Sequence, residues 1–211
     1  MLLAYHQFAE DKRAAPRSAR AYLRPMADIT SLILDDHDRF RREFARMDDV
    51  VDNEELGRIW RALGDLLDVH AAAEEAIFYP QLMRRGSEAE DETLDAVGDH
   101  NDIRDGVHDA ALHPVGSTAW RAAVHRARMA NSEHMAEEED GALADFRRHA
   151  DPGLREELGR RFLEFKQEHA GTRGLDVSDV DPEQYVEQLA RVRGRDPEPD
   201  PSLRIGGLKE R

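Results

Sequence analysis

His70 and Glu74 stand four residues apart in the stretch His70-Ala71-Ala72-Ala73-Glu74-Glu75-Ala76-Ile77-Phe78-Tyr79-Pro80, and His134 and Glu138 repeat the offset. Residues four apart on a helix lie on one face, a turn apart. Each pair can therefore aim an imidazole and a carboxylate at one point. His37 and His100 occur singly, within two other stretches of helical pattern. Four imidazoles and two carboxylates from four helices suit a pair of metal ions. If Glu74 and Glu138 each bridge with two oxygens, each ion receives two imidazoles and two carboxylate oxygens. A solvent-derived oxo or hydroxo bridge would add a fifth ligand. An octahedral ion would then keep one position for water, dioxygen or peroxide, as a reactive site requires and a structural one does not.

Composition narrows the choice of metal and partner. The chain has no cysteine, which excludes thiolate metal sites, disulfides and redox dithiols. Nitrogen and oxygen donors alone suit iron, manganese or zinc. With 30 basic residues against 45 acidic ones, the net charge is −15. A nucleic-acid phosphate backbone would be repelled, so no nucleic-acid partner is expected. No apolar run approaches the roughly 20 residues of a membrane span, and no secretory signal is apparent. The expected location is cytoplasmic.

Four long helical patterns position these residues. In the first, Ile29, Ile33, His37, Phe40, Phe44 and Met47 recur at steps of three and four, with Asp28 or Thr30 as cap. The second runs from about Glu54 to Arg85, with Ile59, Leu63, Leu66, His70, Glu74 and Ile77 on one face. Pro80 lies inside it and predicts a kink or an end near Tyr79. The third covers about Glu88 to Leu112, the fourth about Ser117 to His149. Asp151-Pro152 opens a fifth helix with the stripe Leu154, Leu158, Phe162 and Phe165, expected to pack outside the bundle or to extend it. No strand-like alternation competes. The expected fold is all-α: an antiparallel up-down-up-down four-helix bundle with an additional C-terminal helix and a flexible tail. Residues 1–25 read as a flexible N-terminal extension, 26–170 as the helical bundle domain, and 171–211 as a C-terminal tail with one short helix over Pro182 to Arg193.

A buried carboxylate without a partner is costly, so Glu74 and Glu138 need either a cation or arginine partners. Glu137, Glu138 and Glu139 are consecutive. Glu138 stacks one turn from His134, while Glu139 is rotated about 100° further but is long enough to reach. Glu138 is the choice on register, with Glu139 as the alternative. Tyr79 and Trp60 are read as core aromatics. His6, His108, His113, His125, His149 and His169 are read as solvated.

At these residues the chain resembles the hemerythrin-like family, the hemerythrin HHE cation-binding domains, over about residues 27 to 150. The matching pieces are His37 within Leu34-Asp35-Asp36-His37, His70-x-x-x-Glu74-Glu75-x-x-Phe78-Tyr79-Pro80, His100 within Asp99-His100-Asn101, and His134-x-x-x-Glu138. The order His, His-x-x-x-Glu, His, His-x-x-x-Glu is similar to a bacterial branch of that family. The resemblance implies a four-helix bundle with a non-haem di-iron centre: two iron ions with a bridging oxo or hydroxo ligand, held by His37, His70, Glu74, His100, His134 and Glu138. The oxygen-carrying members have a second histidine one turn after the third-helix ligand, where this chain has Arg104. They place the last carboxylate five residues after the final histidine, which would select Glu139. Some members of the bacterial branch are linked to peroxide breakdown or nitric oxide handling.

The function expected from this pattern is redox chemistry on a small oxygen species, with hydrogen peroxide disproportionation (catalase-like) foremost. The alternative is binding or sensing of dioxygen, nitric oxide or iron without turnover. A metal-stabilised interaction module acting through the fifth helix and tail is a third reading.

Overall fold

The computed structural model describes residues 28–193, and every regular element among them is helical. The expectations for residues 1–25 and for the tail beyond 193 fall on chain outside the described residues. Helix α1 spans Ile29–Asp48, α2 Asn53–Ala73 and α3 Tyr79–Arg85, with a π-helical turn Glu74–Phe78 between the last two. There follow α4 Ala89–Ala111, α5 Thr118–Asp140, α6 Ala142–His149, α7 Pro152–Glu168 and α8 Pro182–Arg193.

Capping residues set four of the starts. The side chains of Asp28, Asp52, Ser117 and Asp151 each accept from a backbone N–H three residues on, those of Ser31, Glu55, Trp120 and Leu154. Each such cap contributes about 1 kcal/mol.

Cross-helix contacts give the directions. Asp36 meets His70 while Arg46 meets Glu55, so α1 and α2 are antiparallel. Ring contacts place His100 against His134, and Gly106 abuts Ala127, so α4 and α5 are antiparallel too. Along α1, α4 and the α2–π stretch the apolar residues fall into two clusters with the site histidine between them. On α1, Ile33 belongs to one cluster and Phe40 to the other, with His37 between. On α4, Val97 and Ile103 flank His100 in the same way. The site is a polar layer held between two dry ones.

Pro80 does not end the second helix. It occupies the first turn of α3, and the chain reaches it through the π turn, where the Tyr79 N–H bonds to the Glu74 carbonyl five residues back. A π-register bond from residue 80 would fall on the Glu75 carbonyl, but proline has no N–H. The Tyr185 hydroxyl of α8 donates to that carbonyl instead. The fourth helical stretch, expected to run unbroken to His149, is interrupted at Gly141, whose φ and ψ of −99° and −93° leave the helical region. Its N–H still bonds to Glu137, so α6 continues from α5 with a bend.

Helix α7 packs across α1. Phe162 is fully buried with its ring edge-on to His70, 6.0 Å between centroids. Helix α8 lies against α4: Val186 is buried, and the Asn101 amide both donates to and accepts from the backbone of Val180, at 2.7 and 2.9 Å.

Candidate metal centre

His37, His70, Glu74, His100, His134 and Glu138 come together in the polar layer, each no more than 4% exposed. His70 Nε2 lies 2.9 Å from Glu74 Oε1, and His100 Nε2 lies 3.3 Å from Glu74 Oε2. His134 Nε2 is 4.0 Å from that second oxygen and 3.3 Å from His100 Nε2. His37 Nε2 is 3.3 Å from Glu138 Oε2. The two oxygens of Glu74 thus face different histidines, as a bridging carboxylate must. Three overlapping triads have ligand atoms within 4.8 Å of one another: His37–His70–Glu74, His37–His134–Glu138 and Glu74–His100–His134.

Apart from the His100–His134 contact, the inward-facing atoms crowd together without bonding. His37 Nε2, His70 Nε2, both oxygens of Glu74 and Glu138 Oε2 are buried with no hydrogen-bond partner. Among the described residues the ion pairs of Glu74 and Glu138 are to histidines alone, so arginine does not compensate them. Leaving several acceptors unpaired at zero exposure would cost several kcal/mol. One group satisfies them all at once: a cation coordinated by imidazole nitrogen and carboxylate oxygen. The donor set fits a metal pair.

The outer nitrogens follow a rule. His70 Nδ1 donates to Asp36 at 3.0 Å, His100 Nδ1 to Glu75 at 2.9 Å, and His37 Nδ1 to Glu139 at 2.9 Å. His134 Nδ1 faces Asp99 at 3.6 Å. Each of these carboxylates sits next in sequence to a residue of the inner layer, but serves the neighbouring helix. Asp36 of α1 reaches α2, Glu75 reaches α4, Asp99 of α4 reaches α5, and Glu139 of α5 returns to α1. The links form a ring around the bundle. A carboxylate on Nδ1 fixes the tautomer, leaving the Nε2 lone pair for a metal.

Three links carry a cation on the carboxylate oxygen that takes the histidine. Arg41 binds Glu139 at 2.6 Å, Arg104 binds Glu75 at 2.8 Å, and Lys166 of α7 binds Asp36. Among the described residues no such cation accompanies Asp99. Arg104 is 2% exposed and holds the carboxylate that holds His100.

The electrostatics are those of a cation site. Burial works against a charged His70 ring, but Glu74 and Asp36 outweigh it and raise its pKa to about 10. Burial also works against the Glu74 carboxylate, and His70 and His100 more than reverse this, holding it well below the ordinary range. Burial, with the charges of Glu138 and Glu74, pushes the Tyr79 phenol well above its usual value, so it stays protonated.

Tyr79 is more than a core aromatic. Its hydroxyl donates to Glu138 Oε1 at 3.2 Å, and its ring lies 5.8 Å from that of His100. Trp60 does sit in the core, edge-on to Trp120 and away from the centre. Glu138 faces inward at 3% exposure, while Glu139 is the outer partner of His37. Sequence reasoning missed Asp36, Glu75, Asp99 and Glu139 as partners. Their signal was adjacency, in the repeated pairs Asp36-His37, Glu74-Glu75, Asp99-His100 and Glu138-Glu139.

A cleft of about 570 Å³ opens beside the centre, with His134 and Glu138 in its wall. No helix among the described residues is long and apolar enough to cross a membrane.

The family model for the hemerythrin HHE cation binding domain matches residues 28–146. No curated protein and no solved structure gives a significant match. The matched residues end before Lys166 of α7 and Tyr185 of α8.

Proposed function

Because the chain belongs to the hemerythrin HHE cation-binding family, we propose that its buried histidine–glutamate centre holds two iron ions and that it disproportionates hydrogen peroxide. The observation that carries the metal pair is the set of buried donors left without partners at His37, His70, Glu74 and Glu138, each histidine turned inward by its neighbour's carboxylate. His37, His70, Glu74, His100, His134 and Glu138 would hold the ions.

Bound there, a pair of iron ions would supply two one-electron steps between the ferrous and ferric states. Disproportionation needs that count. One peroxide gives up two electrons and two protons to become dioxygen; a second takes them up, its O–O bond breaks, and two waters form. The protein's own groups set the conditions. Phe40, edge-on to His70 at 5.0 Å, and Phe162 exclude water on one side. Tyr79 holds a proton on Glu138 Oε1, which leaves Oε2 for the metal. Arg104 in place of the carriers' additional histidine leaves one ligand fewer than a reversible dioxygen carrier has, which supports turnover over carriage.

The test is to load the full chain anaerobically with ferrous iron, measure iron per chain, add peroxide and follow evolved dioxygen. Two irons per chain and one dioxygen for every two peroxides are expected. Two irons with no dioxygen, and a colour change reversed by removing dioxygen, would put binding or sensing in place of catalysis. Failure to retain iron, with unchanged thermal stability, would remove the metal centre itself.

A further inference from the structure

The cleft beside the centre differs from the rest of its surroundings in charge. Glu90, Asp91, Glu92, Asp95, Asp99 and Glu137 line it, and among the described residues no lysine or arginine does. Acidic lining alone would signify little in a chain of net charge −15. Two independent features give it meaning. Its wall includes Glu138, a residue of the centre that is 3% exposed and whose Oε2 is buried without a partner, so the cleft reaches the centre's own side chains. It also includes His134, the one histidine whose outer carboxylate is longest in reach, at 3.6 Å, and carries no cation among the described residues.

The other three corners each carry a cation. Lys166 on Asp36, Arg104 on Glu75 and Arg41 on Glu139 each cap the outer link with a positive charge. Phe162 and Lys166 of α7 cover the His70 corner. Asn101, Val180 and Tyr185 cover the approach to Glu75. Among the described residues the His134 corner alone has no such cation, and it faces the carboxylates of the cleft.

We propose that this cleft is the entry route to the centre and that its carboxylates select by charge, passing divalent cations and uncharged molecules and turning back anions. The inference rests on the metal-centre reading above and adds the path and the class of species that travels it. A cleft lined by one sign of charge focuses the field at its mouth and changes association rates by about 10- to 1000-fold in favourable cases. The same field that draws a metal cation inward repels small anionic ligands. Hydrogen peroxide, uncharged near neutral pH, is neither drawn nor repelled.

The test uses the full chain and the variant E90Q/D91N/D95N, which removes three rim charges and leaves the inner layer untouched. D49N/E54Q/D65N, an equal charge change at exposed positions away from the cleft, is the control. Cobalt(II) uptake by metal-free protein is followed by its visible absorption in stopped flow, and azide association is followed on the iron-loaded protein, each over a range of salt. For the native chain, cobalt uptake should slow with salt and azide association should quicken. In the rim variant cobalt uptake should fall about fivefold and azide association rise about fivefold at low salt, with both salt dependences flattened. The control should follow the native chain. If the rim variant binds cobalt to the same end point at the same rates as the control, entry lies elsewhere and the proposal falls while the metal centre stands. If neither variant nor the native chain binds cobalt, the centre itself has failed and the route with it.

Discussion

Glu139 of α5 accepts from His37 Nδ1 of α1 at 2.9 Å, across the seam where the last helix of the bundle meets the first. That link closes the ring in which every helix holds the histidine of the next. It also separates two adjacent glutamates by role, Glu138 inward at 3% exposure and Glu139 outward with Arg41 on it.

The two should fail differently. Glu139→Gln keeps the inner donors and is expected to weaken iron binding about 10- to 100-fold, as removal of an outer partner does. Glu138→Ala should lower the iron bound to one per chain or fewer. Competition against a chelator of known affinity, with iron counted per chain, measures both. Two irons retained in Glu138→Ala, and none in Glu139→Gln, would reverse the assignment.

Tyr185 supplies a donor to a carbonyl that the π turn and Pro80 leave without one. Tyr185→Phe keeps the ring and removes the hydroxyl, so the Glu75 carbonyl loses its partner. The expected loss is about 1–3 kcal/mol of stability, read from urea unfolding of metal-free protein. A midpoint unchanged within error would mean that water serves that carbonyl equally well.

Gly106 packs where α4 and α5 come closest. A Cβ there would meet the Ala127 backbone nitrogen at 2.7 Å and its Cα at 2.9 Å. Backbone cannot swing aside as a long side chain can. Gly106→Ala is therefore expected to destabilise by about 1–3 kcal/mol, despite alanine's better helix propensity, and to disturb the spacing of His100 and His134. A rise in melting temperature would show that the two helices part without cost.

Asp145 of α6 is 1% exposed and ties down the turn before α4, accepting from the Ser87 N–H at 2.7 Å and its hydroxyl at 2.8 Å. Burial alone would raise its pKa, but the Ser87 bonds, with Arg148 and His149, outweigh burial and lower it. The folded state therefore prefers the ionised form. Its contribution is present above the unfolded value of about 3.9 and is lost as pH falls through the lower folded value. Asp145→Asn should cost about 2 kcal/mol at pH 7, with a gap to the native chain that narrows below about pH 4. A gap constant down to pH 2 would count against an ionic role.

Much of this molecule was written in periodicity. The steps from Ile29 to Met47 and from Ile59 to Ile77 mark helix faces because a helix repeats every 3.6 residues, and His70–Glu74 and His134–Glu138 share faces for the same reason. Those local rules placed the inner residues on four helices and the short helix at Pro182–Arg193. The outer ring was not legible. Asp36, Glu75, Asp99 and Glu139 stand beside inner residues in the chain, yet about 100° of rotation per residue turns each toward a different helix, and which helix lies there depends on how the four pack. Lys166 lies 130 residues from Asp36 and Tyr185 lies 110 from Glu75, separations that no local pattern spans. Spacing along a helix is decided by backbone geometry that every residue carries with it; the partner across a groove is decided only once the burial of apolar faces has brought the helices together.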